Sequence, residues 1–338
     1  MKKKIVAFGE PLLRLSTNMG ERLLQANQLT LNYGGAEANV GASLSRFGYD
    51  VYFIGKVPNN SLGYAYERHL QSFGVQTDYL LKGGERLGTY YLETGIGERS
   101  AQVIYDRKGS SFSQLTPNEV DFEDILQNAD LFHVTGITPA LSPVLQELTL
   151  QGLKVAKEIG VKTSFDFNYR AKLWSLQEAR DAIQPFLPYV DICSCGELDA
   201  LNLLGIEEAD ASLDHSQKLT FYYERISEMY PNIKYLYSTF REVYSASHNS
   251  LQGNLFVNGK LYQSKVHDIN PIVDRVGGGD AYASGILFGI LEGKEPEQIV
   301  SFGTAASALK HTVHGDSNVF SEEDILAFAK NATGQIVR

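Results

Sequence analysis

The sequence predicts an α/β fold: a mostly parallel sheet with helices on both faces, carrying a small β-sheet insertion. Three observations predict it. From about residue 117 onward, strand-like apolar runs alternate with helical segments, which is the pattern of a parallel sheet covered on both sides. The first run, at 5–8, is short and apolar and ends in Gly9-Glu10, as a buried strand does. Residues 87–106 differ in texture, with two β-rich stretches joined by a Gly-rich turn, so a hairpin is set into an otherwise α/β chain. A lid is one reason for such an insertion.

Taken in order, residues 5–8 form a buried strand ending in Gly9-Glu10. No GxGxxG follows, which counts against a dinucleotide fold at this end. Residues 12–31 are mixed, strand or loop. Tyr33-Gly34-Gly35-Ala36-Glu37-Ala38-Asn39 opens a helix through Leu44 that Gly48 closes, and 51–54 is a strand. Ser61 caps a helix to Phe73, with Gly74 as its stop. Beyond the hairpin, a helix at 117–128 leads to strand 131–134. A helix at 143–159, with Ser142 as cap and Pro143 at its first position, leads to strand 161–165. A helix near 176–186 precedes strand 189–193. Residues 206–232 carry many charges and predict an exposed helix plus connection, and 233–238 is the next strand. Asn258-Gly259 between two apolar runs predicts a tight hairpin. Helices follow after Gly279, at 296–310 and near 321–330. There are no repeats and no linker, so the whole chain, 1–338, is expected to be one domain.

The chain has 338 residues, 43% hydrophobic and 21% charged, with a formal charge of −10. This acidic balance argues against a nucleic-acid partner, which would call for a basic face. No segment has the apolar length of a membrane span. Cys193 and Cys195, two positions apart, are too close for an ordinary disulfide and read as buried thiols in a reducing compartment; half of a metal site is the alternative. A cytoplasmic location is expected.

The chemistry concentrates in 270–291. Three glycines, Gly277, Gly278 and Gly279, precede Asp280 and a helix-like run with Ala281, Ser284, Gly285 and Phe288 at helical spacing. Glycines before a helix leave amides open to an anion, and the helix dipole adds to the attraction. Asp280 beside them suits a proton acceptor; the plainer reading is an N-cap on a tight turn. Other polar residues also follow strands, where open parallel sheets bind ligands: Gly136-Ile137-Thr138 and Phe165-Asp166-Phe167-Asn168-Tyr169-Arg170. There is no P-loop motif. His311 and His314 lie three apart with no third ligand candidate, so a surface or helix-end role is expected. Tyr90, Tyr91 and Tyr105 read as sheet packing, with one or two able to face a sugar.

Asp274-Arg275-Val276-Gly277-Gly278-Gly279-Asp280 resembles the D-T-x-G-A-G-D signature of the ribokinase (PfkB) family of carbohydrate kinases. Tyr33–Asn39 resembles its earlier G-G-x-x-x-N signature, in the right order. Ser164–Arg170, Tyr105-Asp106-Arg107 and His311–Asp316 resemble the 2-keto-3-deoxygluconate kinase branch. The resemblance implies a doubly wound, ribokinase-like domain with a β lid at about 11–33 and 87–107, often paired between subunits, so a homo-oligomer is expected. It implies ATP and Mg²⁺ as cofactors, and transfer to the terminal (C6) hydroxyl of 2-keto-3-deoxygluconate. By that match, Asp280 is the base and the amides of Gly277, Gly278 and Gly279 stabilise the migrating phosphoryl group. Gly34, Gly35 and Asn39 hold sugar hydroxyls. Tyr90, Tyr105, Arg107, Ile137, Arg170 and Asp316 line the substrate site. Asn168, Thr239, Arg241 and Tyr244 face the nucleotide, together with Gly277 and Gly279.

The arginines speak to substrate class, since a guanidinium suits a planar carboxylate. Arg107 and Arg170 could converge on the carboxylate of a sugar acid. The competing account puts Arg170 on nucleotide phosphate, or leaves Arg107 solvated. The sequence departs from the family at four places. Gly278 replaces an alanine, Arg275 a threonine, and Ser194-Cys195-Gly196-Glu197 the metal-linked N-x-x-E, so Glu197 alone remains there, with at most an indirect role. The nucleotide motif T-x-G-x-x-G becomes 239–244.

Overall fold

Strand β1 (Lys4–Phe8) lies inside the larger of two sheets. The structure, a computed structural model, describes residues 2–330. Strand β1 is followed by β2 (Leu12–Ser16), β3 (Thr30–Gly34), β4 (Asp50–Val57), β5 (Leu80–Lys82) and β6 (Gly88–Glu93). The later strands are β7 (Gln102–Asp106), β8 (Leu131–Thr135), β9 (Lys162–Asp166), β10 (Ile192–Ser194), β11 (Tyr235–Ser245), β12 (His248–Val257), β13 (Lys260–Gln263) and β14 (His267–Ile269). The ten-stranded sheet runs β13-β12-β11-β10-β9-β8-β1-β4-β5, with β14 beside β12. From β5 to β11 neighbouring strands pair in parallel; β12, β13 and β14 join antiparallel. Chain order reverses at β1, which has β4 on one side and β8 on the other. The crevice beyond that edge is where such sheets take ligands.

The helices are α1 (Ala36–Arg46), α2 (Ser61–Ser72), α3 (Phe122–Ile125), α4 (Pro143–Glu158), α5 (Leu176–Ile183), α6 (Glu197–Asn202), α7 (His215–Met229), α8 (Gly278–Leu291), α9 (Pro296–Lys310) and α10 (Glu322–Lys330). They cover both faces. One core joins Phe122, Leu145, Ala179 and Leu219; the other joins Val40, Tyr66, Ile286, Ile299 and Ile325. Helix α8 is buried on nearly every side. A methyl added at Gly285 would come within 2.6 Å of Gly303, so the glycines let α8 and α9 touch backbone to backbone.

The second sheet, β3-β2-β6-β7, contains the two segments expected as the lid. It is mixed: β2 pairs antiparallel with β3 and parallel with β6, and β6 pairs antiparallel with β7. The Asn258-Gly259 turn joins β12 to β13, with φ of 53° and 73°. Four expectations need correction. Asn60, not Ser61, caps α2, accepting from the amides of Leu62 and Gly63. The helix expected at 117–128 is broken, because Thr116 and Asp121 each cap a separate turn around an extended Val120. Helix α7 is not simply exposed, since Leu219, Tyr222, Tyr223 and Ile226 are buried. The strand expected at 233–238 continues to Ser245 and pairs along most of its length with β12.

Candidate active site

The turn before α8 is shaped by its three glycines for three different reasons. Gly277 is the N-cap with φ 77°, and a side chain there would overlap the carbonyl oxygen of Asp316. A methyl on Gly278 would come within 2.5 Å of the His311 ring. At Gly279 a methyl would meet nothing, because this residue faces open space. The Gly278 amide bonds to the Arg275 carbonyl at 3.3 Å and that of Ala281 to Gly277 at 2.9 Å. The amides of Gly277, Gly279 and Asp280 find no acceptor among the described residues. Three unpaired N–H groups at a helix N-terminus form an anion cradle.

Asp280 sits in the first turn of α8 and is half-buried. Its Oδ2 accepts from Asn39 Nδ2 at 2.7 Å, across the α1–α8 contact. Enough protein surrounds the carboxyl that desolvation pushes its pKa up to about 7. The Asn39 hydrogen bond and the charge of Arg170 oppose this, while Asp166 and Glu37 reinforce it. An acid titrating near neutrality can accept a proton and return it.

On the lid side, Gly34, Gly35, Tyr90, Tyr105, Arg107 and Asp316 come together around Glu10, which follows β1. Arg107 donates to Glu10 through Nε at 2.7 Å and also through Nη2; Ser110 Oγ donates to the other oxygen of the same carboxylate. Arg107 is 5% exposed, so it is not a solvated surface charge. Its Nη1 makes no hydrogen bond among the described residues. The guanidinium lies 5.4 Å from the Tyr105 ring, which packs against Tyr90 at 6.2 Å. Tyr90 donates to Asp316 Oδ2 at 2.8 Å. A methyl on Gly34 would come within 2.5 Å of that carboxylate, and one on Gly35 would overlap the Glu10 carbonyl. Ile137 stands in the turn after β8, its amide bonded to Thr135 Oγ1.

Arg170, after β9, is exposed and donates to the carbonyls of Asn168 and Tyr169. Arg107 is pinned to Glu10 and Arg170 to its own loop, so no side-chain bond links the two. Asn168 has φ 42°, and its amide bonds to Asp166. Burial pushes Asp166 and Asp199 up to about 6 each. Glu197 opens α6 nearby, but no group of three His, Cys, Asp or Glu side chains able to hold a metal gathers among the described residues. On β11, Thr239 and Arg241 alternate onto one face. Arg241 is close enough to Arg275 that its pKa is lowered by burial and by that second positive charge, and both act on His311. Tyr244 does not join them: its hydroxyl bonds Glu242 at 2.8 Å and its ring packs on His248 at 4.7 Å. His311 ends α9, buried, its Nδ1 2.7 Å from the Ser307 carbonyl; His314 is exposed.

A cleft of about 550 Å³ opens beside this site, lined by Arg14, Asn32, Thr94, Arg275 and His314 but not by Asp280. Its one lining carboxylate, Asp274, is already committed to Arg14 and to the amides of Val276 and Gly315, so the reactive centre is assigned to the Asp280 turn. Sequence reasoning missed Glu10, Glu37, Asp199 and Arg14. Glu10 had one signal, a charged residue directly after a buried strand. Cys193 and Cys195 are buried and free, as expected.

The comparisons with known proteins agree with this geometry. The model of the pfkB family of carbohydrate kinases matches residues 2–225 and 250–323. The chain is 33% identical over 325 residues to a 2-dehydro-3-deoxygalactonokinase of Haloferax volcanii, covering 96% of each. Its fold matches the crystal structure of a 2-dehydro-3-deoxygluconokinase from Thermotoga maritima with a TM-score of 0.94 at 42% identity, over 97% of this chain and 100% of that one. A PfkB family carbohydrate kinase from Listeria grayi matches at 0.93 and 43%, with the same coverage. The match to the family model skips 226–249, the stretch that holds all of β11. Asp280 at its glycine turn, the lid and these likenesses together establish that the chain belongs to the pfkB family of carbohydrate kinases, and is a kinase acting on a sugar acid.

Proposed function

We propose that the protein transfers the γ-phosphoryl group of ATP to the terminal (C6) hydroxyl of 2-keto-3-deoxygluconate, giving 2-keto-3-deoxy-6-phosphogluconate. The observation that carries this reading is Asp280: a carboxyl near neutrality, beside three unpaired amides, with one oxygen held by Asn39. The free oxygen takes the proton of the sugar hydroxyl. That hydroxyl oxygen attacks the γ-phosphorus, the bond to the β-phosphate oxygen breaks, and ADP leaves. The amides of Gly277, Gly279 and Asp280 hold the charge spread over the transferring group. Arg241 and Arg275, adjacent and without a carboxylate partner among the described residues, suit the nucleotide phosphates.

Tyr90, Tyr105, Gly34, Gly35, Asn39, Ile137 and Asp316 frame the sugar. Arg107 Nη1 and Arg170 are the donors left for a carboxylate, which supports a sugar acid over a neutral sugar. Mg²⁺ would arrive on the nucleotide. With no acidic cage among the described residues, Glu197 could contribute only at a distance, through water. A Mg²⁺ ion bound there would neutralise phosphate charge. The exposed Leu31 and Ile104 on the outer face of the lid sheet support pairing of two lids in a homo-oligomer, and the buried free thiols support a cytoplasmic location. None of the described helices is long and apolar enough to cross a membrane.

The test is a panel of sugars and sugar acids with ATP, read by ADP release. Turnover of 2-keto-3-deoxygluconate above the others, with the phosphate located at C6, supports the reading; selective turnover of a neutral ketose or pentose overturns it. A second reading, the galacto epimer, is favoured by the Haloferax relative and is separated in the same panel.

A further inference from the structure

The mechanism leaves unused one buried cation that touches both halves of the site. Arg14 lies on β2 of the lid and is 2% exposed. Its Nη1 and Nη2 donate to the two carboxylate oxygens of Asp274 at 3.2 and 2.6 Å. Its Nε lies 3.1 Å from Asp316 Oδ1. Asp274 is not a bystander. Its Oδ1 accepts from the Val276 amide and its Oδ2 from the Gly315 amide, so it fixes the chain on entry to the glycine turn and in the loop that carries Asp316. Asp316 in turn receives the Tyr90 hydroxyl, and its carbonyl seats against Gly277.

We propose that Arg14 is a positioning residue that registers the sugar-binding lid against the phosphoryl-transfer turn, by bridging Asp274 and Asp316 at once. A lysine could neutralise one carboxylate, whereas the planar fork bonds both oxygens of Asp274 while its Nε faces Asp316 as an ion pair, with no hydrogen bond between them. The cluster is balanced by Lys310 on α9, a buried ammonium 3.4 Å from the carbonyls of Asp274 and Val313. Two cations and two anions thus join the lid, the glycine turn, α9 and the Asp316 loop. Without Arg14, Asp274 and Asp316 would face each other with Lys310 as the buried cation left beside them. Asp316 would be harder to ionise, since desolvation already raises its pKa and Arg14 is the largest opposing influence. Tyr90 would then lose a charged acceptor, and the lid its tie.

The inference rests on the proposed kinase reading, and the two fail differently. If the wild-type protein releases no ADP with any sugar acid, the kinase reading falls. The inference is still tested by hydrogen–deuterium exchange without substrate. Arg14→Gln should speed exchange in 12–16, 88–93 and 274–280 while leaving 131–135 and 162–166 unchanged. With substrate, Arg14→Gln should raise the sugar-acid KM by about tenfold or more, the scale expected when binding groups are misplaced by about an ångström. The ATP KM should stay within about twofold. The acid limb of kcat/KM should move to higher pH, given the groups facing Asp316: Arg14, Tyr90, Asp274 and Lys310. Arg14→Lys, which keeps the charge but not the fork, should fall between, and it is the variant to read if Arg14→Gln does not fold. Guanidinium added to Arg14→Ala should restore part of the sugar KM. Unchanged lid exchange, or equal rises in both KM values with no pH shift and no rescue, would overturn the proposal.

Discussion

Replacing Asp280 with asparagine separates what the carboxyl does for chemistry from what it costs the fold. The substitution keeps shape and removes only the ability to hold a proton. A positioned general base contributes about 10²–10⁴-fold, so kcat should fall within that range while both KM values change little. The wild-type profile should lose activity as pH falls below about 7, where Asp280 becomes protonated, and the residual activity of the variant should lack that limb. Stability should move in the opposite direction. Because the folded-state pKa is raised above the unfolded value of 3.8, the native state binds the proton more tightly. Ionising Asp280 therefore costs nothing below pH 3.8, costs progressively more as pH rises, and costs its full amount above about 7. A shift of that size corresponds to roughly 4 kcal/mol if the group were dry. It is half-buried beside a cleft, so about 1–2 kcal/mol is the reasonable figure. Asp280→Asn should then melt a few degrees higher than wild type at pH 8, with the gap closing toward pH 4. Coupled ADP assays across pH and melting curves at both pH values decide it. Activity within tenfold of wild type, or a residual profile that keeps the limb near neutrality, would refute the base assignment. A melting difference independent of pH would refute the electrostatic account.

Three further outcomes follow from the same geometry. Gly277→Ala should abolish activity and destabilise the protein, because it combines φ 77° with overlap on the Asp316 carbonyl, whereas Gly279→Ala should fold normally and mainly raise the ATP KM; equal melting losses in the two would contradict this. Arg107→Ala should raise the sugar-acid KM by about 10–100-fold and cost about 3–5 kcal/mol in a urea titration, since Glu10 is left buried and unpaired. Adding Glu10→Gln should recover stability but not KM, and recovery of both would make Arg107 merely structural. Asn39→Ala removes the hydrogen bond that holds the Asp280 pKa down, so the acid limb of kcat/KM should move upward; a limb that stays or moves down sinks the assignment.

What could be read from one chain was what neighbouring residues decide. The glycine turn, the Asn258-Gly259 hairpin and the Ser142-Pro143 helix start all depend on backbone conformations that a few adjacent residues impose. The same local logic failed at 117–128, because Thr116 and Asp121 each cap a separate turn, with the buried, extended Val120 between them. It stopped short at β11, whose outer half carries exposed Glu242, Val243 and Tyr244 and is strand only because β12 pairs with it. Partners remote in sequence were out of reach: Arg107 finds Glu10 across 97 positions and Arg14 finds Asp274 across 260. That is why Arg107 was expected on the substrate with no sign of its commitment to Glu10, and why Arg14 was not singled out at all.

This commitment resolves a difficulty in the site's charge. The proposed reaction brings two anionic substrates into a cleft that gathers Glu10, Asp166, Asp199, Asp274, Asp280 and Asp316. The carboxylates divide into two sets. Glu10 is neutralised by Arg107, and Asp274 and Asp316 share Arg14. Asp166, Asp199 and Asp280 have no salt-bridge partner among the described residues, and burial lifts them to about 6, 6 and 7. Near neutral pH Asp280 is therefore substantially protonated while Asp166 and Asp199 are mostly ionised, and the cleft is less negative than its residues suggest. Arg170, Arg241 and Arg275, none tied to a carboxylate among the described residues, then set its sign. An anion arriving at the amides of Gly277, Gly279 and Asp280 meets a surplus of positive charge, while the one carboxyl it must work beside still has a proton to exchange.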